Sequence, residues 1–270
     1  MTINKLTKGF AKVNGGNIYY ELAGEGEAIL FLHGLFLDSR LWERQFNELS
    51  QSYKVIRLDL RGFGCTEITE EPFSNYDDIK ALLDELEVEK VHVVGLSLGA
   101  LMGVEFALVY PERVRSITLC SLNLSREVSE EMQKARQEIW QALESGDIHK
   151  STQLSEKAWL LGSANSSVVT EENRELYRNM LEHNLNMPKI NRKPIFLTNT
   201  AEKLEEITAP TLIMYGALDF ADYEKAASII QERIPNSKKL RFEQSAHIMN
   251  LSEPELFTKK LHEFISSCKV

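Results

Sequence analysis

Short runs of β-branched and aliphatic residues alternate with longer segments whose apolar positions recur every three or four residues, and this alternation organises most of the chain. Residues 28–32, Ala-Ile-Leu-Phe-Leu, are apolar throughout, as expected of a strand buried on both faces of a sheet. Further strands are predicted over 54–58, 91–94, 115–120 and 211–215. Residues 39–50 place Leu41, Trp42, Phe46 and Leu49 on one helical face, and 75–87 do the same with Ile79, Leu82, Leu83 and Leu86 behind Ser74 as a cap. Ahead of these, 9–13 and 17–22 form a predicted hairpin that turns at Asn14-Gly15-Gly16. The pattern closes with a helix near 223–233, a strand near 239–242 and a helix over 254–266.

Strand and helix alternating at this interval predict an α/β fold, a mostly parallel central sheet covered by helices on both faces. The alternation breaks between 122 and 200, where three helical segments (127–144, 148–161 and 171–186) follow one another without a clear strand. The expected organisation is a core of residues 1–121 and 201–270, with 122–200 inserted after the sixth strand as an all-helical cap.

Composition narrows what such a fold serves. A chain of 270 residues with 43% hydrophobic content can bury one large core. Its formal net charge of -9 argues against nucleic-acid and anionic-membrane partners, which select basic surfaces. Cys65, Cys120 and Cys268 are isolated from one another and form no C-x-x-C pair, so reduced thiols are expected. The first ten residues lack the apolar stretch of an export signal, and no apolar run reaches membrane-spanning length. The expectation is a soluble cytoplasmic protein with a small-molecule substrate and no cofactor. No metal-ligand cluster is evident, and Gly62-Phe63-Gly64 lacks the rest of a dinucleotide fingerprint. Oligomeric state stays open.

The chemistry centres on Gly95-Leu96-Ser97-Leu98-Gly99, a strand end, a serine between glycines and an immediate helix. This spacing suits a nucleophile held at the tip of a strained turn, where flanking glycines let strand and helix approach closely. A serine at neutral pH needs a base, and the base needs a group that fixes its tautomer. His247 falls in the loop between the last strand and the last helix, where active groups of open α/β sheets collect. His92 lies inside a strand, and His149, His183 and His262 lie on helical segments with polar neighbours. His33 is a second possible base, better suited to bracing its own loop. Asp219, just past the strand at 211–215, is the expected orienting acid, with Asp222 a nearby alternative. Backbone N–H groups of Leu98 and of Leu35, or Phe36, are the expected oxyanion donors. Phe36, Trp159 and Leu160 are the candidate substrate-binding residues, the last two because they adjoin Gly162, where a cap helix is expected to end.

Together, His33-Gly34, Asp59-Leu60-Arg61-Gly62-Phe63-Gly64, Gly95-Leu96-Ser97-Leu98-Gly99, Gly216 with Asp219, and His247 resemble the α/β-hydrolase superfamily in its small single-chain form with a helical cap. The resemblance implies Ser-His-Asp hydrolysis of a carboxylic ester or lactone. Relatives that share these motifs include enol-lactonases, carbon-carbon bond hydrolases, haloperoxidase-like enzymes and ligand receptors with slow residual hydrolysis. Serine at position 97 disfavours the epoxide hydrolases and dehalogenases, which use a carboxylate nucleophile. The bulky Leu35-Phe36 pair looks more like the esterase, lactonase and haloperoxidase-like branch.

Overall fold

The computed structural model describes residues 6–163, 168–187 and 193–268. The basic N-terminus thus falls partly outside the described residues, as do 164–167 and 188–192 of the expected cap. Eight strands form one sheet in the order β1-β2-β4-β3-β5-β6-β7-β8. β1 (Thr7–Val13) and β2 (Gly16–Ala23) are the expected hairpin, and β2 pairs antiparallel with β4 (Lys54–Leu58). All remaining pairings, through β3 (Ala28–Leu32), β5 (Val91–Leu96), β6 (Val114–Cys120), β7 (Thr211–Gly216) and β8 (Ser237–Phe242), are parallel.

Alternation along the central strands builds two separate cores. Leu30 and Leu32 of β3 with Val91 and Val93 of β5 face a cluster containing Ile79, Leu82, Phe106 and Ile230. Ile29 and Phe31 with Val94 and Leu96 face the other, which contains Trp42, Phe46, Phe257 and Leu261. The first cluster is covered by α2 (Asn75–Glu85), α3 (Leu98–Val109) and α7 (Ala221–Arg233), the second by α1 (Glu43–Leu49) and α9 (Pro254–Ser267). The single helix expected over 39–50 is instead a 3₁₀ turn, Ser39–Trp42, leading into α1. Asp38 caps that turn by accepting from the Arg40 N–H, which tightens its start.

Between β6 and β7 lie α4 (Glu130–Glu144), α5 (Ile148–Ser155), a π-helical turn (Glu156–Leu161) and α6 (Glu171–Leu185). Their apolar residues Tyr177, Met180 and Leu181 join the second core cluster, so this layer packs on the same sheet face as α1 and α9. Asn184 of α6 fastens it to the core: its carbonyl accepts from Gly64 N–H at 2.7 Å and its amide donates to Asp38 at 3.0 Å. The chain touches the core again before position 200, through a bridge between Pro194 and Phe73 and a bond from Leu197 N–H to Glu105. A 3₁₀ turn, Thr200–Glu206, then leads into β7. Among the described residues no helix is long and apolar enough to cross a membrane.

Candidate active site

β5 ends at Leu96, and the chain reverses into α3 within one residue. Ser97 occupies that position at φ 53° and ψ −107°, a region costly for a residue with a Cβ. Its N–H donates to Cys120 O on β6 at 2.8 Å, and its carbonyl accepts from Leu101 N–H at 3.0 Å, so strand and helix both hold the strained turn. The flanking glycines are required by contact: a Cβ on Gly95 would overlap the Gly99 carbonyl, and one on Gly99 would overlap that of Leu32. Ser97 is half-buried and opens onto a cavity of about 380 Å³ beneath the cap.

His247 lines the same cavity. It follows β8 and precedes the short α8 (Met249–Ser252). Its Nδ1 lies 2.8 Å from Asp219 Oδ2. An ionised carboxylate can only accept, so a neutral ring paired with it carries its proton on Nδ1 and presents the Nε2 lone pair. Three further contacts fix the ring's position: His247 N–H donates to Trp159 O at 3.0 Å, Ser121 Oγ donates to His247 O at 2.9 Å, and Tyr223 packs edge-on to the imidazole at 4.6 Å. Among the described residues no hydrogen bond joins Ser97 Oγ to the imidazole; such bonds commonly tighten only once substrate is bound.

Asp219 sits in the turn after β7, its carboxylate fully enclosed. Burial pushes this carboxyl's pKa up, against the opposing pull of His247 and of the Phe220 N–H, which donates at 2.8 Å. A charge so poorly hydrated gains most from a cation beside it. Asp222 does something else. It accepts from Ser129 N–H at 2.7 Å and from Ser129 Oγ at 2.6 Å, which ties the start of α4 to α7. Ser129 is the N-cap of α4, so Asp222 anchors the cap's first helix.

His33 is buried and locked: Nε2 accepts from Leu60 N–H at 2.9 Å, and Nδ1 lies 2.8 Å from Gly34 O. It braces two loops and does not line the cavity. Residues 34–37 form a β-turn closed by Leu37 N–H on Gly34 O, with Leu35 and Phe36 at its tip and Phe36 at φ 58°. Leu35 lines the cavity, and Leu98 opens α3, where a backbone N–H has no preceding helical turn to donate to. Phe36 and Trp159 also line the cavity, Phe36 meeting Trp140 of α4 at 5.8 Å.

Leu160 is misplaced by sequence reasoning. It is fully buried in the apolar cluster with Leu161, Tyr177 and Met180, and it forms no part of the cavity wall. Successive residues of a helical turn diverge by roughly a quarter circle, so once Trp159 faces the cavity its neighbour must face the core. Sequence reasoning also misses Arg136 and Ile139, which line the cavity from α4 together with Trp140. Their i, i+3, i+4 spacing is the signal that could have found them.

The protein-family model for the alpha/beta hydrolase fold matches residues 27–254. Pimeloyl-[acyl-carrier protein] methyl ester esterase of Aliivibrio salmonicida is 26% identical over 260 residues, covering 92% of this chain and 96% of that protein. 3-Oxoadipate enol-lactonase 1 of Acinetobacter baylyi is 26% identical over 242 residues, covering 89% of each. The solved enol-lactonase from Burkholderia xenovorans superposes with a TM-score of 0.78 at 23% identity, over 95% of this chain and 99% of that one, a likeness of fold alone. With the strand order, the elbow at Ser97 and a family match over most of its length, the chain belongs to the α/β-hydrolase fold family.

Proposed function

We propose that this protein is a serine hydrolase that cleaves a carboxylic ester or lactone of a small, largely apolar substrate through an acyl-enzyme on Ser97. The observation that carries this reading is the convergence of a strained, cavity-facing Ser97 with a His247 ring paired to a buried Asp219. In the first step Ser97 Oγ attacks the substrate carbonyl while His247 Nε2 takes its proton, and Asp219 stabilises the resulting imidazolium. The Leu35 and Leu98 N–H groups receive the oxyanion. His247 then protonates the leaving alcohol, and a water activated by the same nitrogen releases the acid. A lactone follows the same course with both halves joined. The printed names of relatives, a methyl ester esterase and an enol-lactonase, support this substrate class.

In this reading residues 122–200 act as a lid that selects the substrate, with Phe36 and Trp159 as acyl-pocket walls, and the enzyme works in the cytoplasm without a cofactor. The test is initial rates on p-nitrophenyl esters of increasing chain length and on a set of lactones, with Ser97→Ala as control. The variant is expected to stay folded and to lose on the order of a millionfold in kcat. Near-normal hydrolysis by pure Ser97→Ala protein would overturn the assignment of the nucleophile.

A further inference from the structure

The cavity wall is apolar and aromatic except at a few positions, and one of these carries a full charge. Among the described residues lining it, Arg136 is the only lysine or arginine, and none is an aspartate or glutamate. This is unexpected in a chain with a formal net charge of -9. Two other cap arginines are already taken: Arg174 and Arg178 both pair with Glu156 and Glu171. Arg136 enters no ion pair among the described residues. Its guanidinium carbon stands 6.0 Å from the Trp159 ring centroid. It also lies beside Tyr223, where its charge opposes the upward push of burial and Asp219 on the phenol. Both aromatic rings touch His247, at 5.1 Å and 4.6 Å. One aromatic side chain thus separates the cation from the imidazole.

We propose that Arg136 is a specificity-determining residue that binds a carboxylate on the substrate, so that the preferred ester or lactone carries an anionic group a short chain away from the carbonyl attacked. The proposal rests on the hydrolytic reading of Ser97 and His247. A guanidinium matches a carboxylate through two parallel N–H···O bonds, and an exposed arginine at the cavity rim can meet an entering anion before the apolar part is buried. A single cation balances a monoanion, which favours carboxylate over phosphate. The aromatic walls between Arg136 and His247 would hold the spacer. An arginine that merely stacks on Trp159 would show no preference for charge.

The experiment compares kcat/KM for monomethyl succinate, glutarate and adipate, each against the methyl ester of the corresponding monocarboxylic acid. Wild-type protein, Arg136→Gln and Arg136→Lys are assayed at low and high salt. Wild type is expected to prefer at least one half-ester over its neutral partner, and added salt should shrink that preference. Arg136→Gln should lower the charged-to-neutral ratio by about tenfold or more, mostly through KM, and Arg136→Lys should restore part of it as a point charge without the fork. Binding of adipate and hexanoate to Ser97→Ala protein, followed by calorimetry, should show the same dependence on Arg136 without turnover. An unchanged ratio in Arg136→Gln, with the neutral esters hydrolysed, overturns the proposal alone. Equal losses on charged and neutral esters also overturn it, since they mark Arg136 as a brace for Trp159. Wild-type protein that hydrolyses neither class of ester overturns the hydrolytic reading together with the proposal.

Discussion

His247 and Trp159 are joined twice, by the His247 N–H donating to the Trp159 carbonyl at 3.0 Å and by ring contact at 5.1 Å between centroids. The first link is made by backbone and survives any change of side chain; the second is made by the indole, which also lines the cavity. Trp159→Ala should therefore keep the loop in place while enlarging the cavity. The expected result is a shift of preferred acyl chain length toward longer esters, read from initial rates across a p-nitrophenyl ester series. The neighbouring Leu160→Ala should do the reverse. Its side chain is fully buried, so the variant should lose about 2–5 kcal/mol of stability in urea titrations with chain-length preference unaltered. The same two phenotypes exchanged between the variants would show that the two faces of this turn have been assigned the wrong way round.

Asp219 and Asp222 are three positions apart and have different partners. Asp219→Asn keeps the shape of the turn but presents an amide to His247 Nδ1, which favours the wrong tautomer, and kcat should fall by about 10⁴-fold. Asp222→Asn removes one of two acceptors from Ser129, at a cost on the order of 1 kcal/mol in stability, with esterase activity close to wild type. Paired kinetic and denaturation measurements check both. A large kinetic loss confined to Asp222→Asn would make it the orienting acid.

Glu105 gives stability a pH dependence that is independent of catalysis. It lies on α3, buried, with Oε1 accepting from Leu197 N–H at 3.0 Å. Burial pushes its pKa from the ordinary value of 4.5 up to about 7, against the pull of the Leu197 and Thr200 donors. The folded state therefore holds a proton that the unfolded chain releases, and stability should decline as pH rises from about 4.5 to about 7. Glu105→Gln keeps an acceptor for Leu197 and removes the charge. It should flatten that decline and be more stable than wild type at pH 8 by on the order of 1 kcal/mol, well under the full worth of such a shift because local relaxation and water relieve a buried charge. Urea midpoints at several pH values decide it; parallel curves for the two proteins would show that Glu105 is not the titrating group.

The core strands are legible because residues buried on both faces are mostly apolar: β3, apolar throughout, and β4, despite a buried Arg57 paired with Glu21, match their expected bounds, and the elbow is marked by glycines that contact itself demands. Ser97, Asp219 and His247 can be picked out because each stands at the end of a parallel strand. The cap is harder to read. Its helices bury one narrow face on the core and turn another toward the cavity, so the periodicity of Arg136, Ile139 and Trp140 is overlaid by charges on the solvent side of α4. The π-helical turn changes the facing of Trp159 and Leu160, and nothing local in the sequence announces such a turn. Tyr223 is equally hidden, since its contact with His247 joins the first turn of α7 to the loop after β8, brought together only by the pairing of β7 with β8.

The ties between cap and core also bear on when the site comes into being during folding. Ser163 N–H meets the Leu218 carbonyl across 55 positions of chain, Ser129 meets Asp222 across 93, and Gly64 meets Asn184 across 120. Gly162, at φ 70°, is wedged so closely against Leu218 and Ala246 that a Cβ would collide with both, and these two residues immediately precede Asp219 and His247. Each such closure costs chain entropy before any contact rewards it, so distant pairings are late events relative to helices and hairpins. The sheet can assemble with Ser97 already at the elbow, yet Asp219 and His247 acquire their final setting only when the helices between β6 and β7 have docked. Under the function proposed above, a nascent or partly unfolded chain would carry its serine without a proton acceptor in place, and hydrolysis would be confined to molecules whose folding is complete.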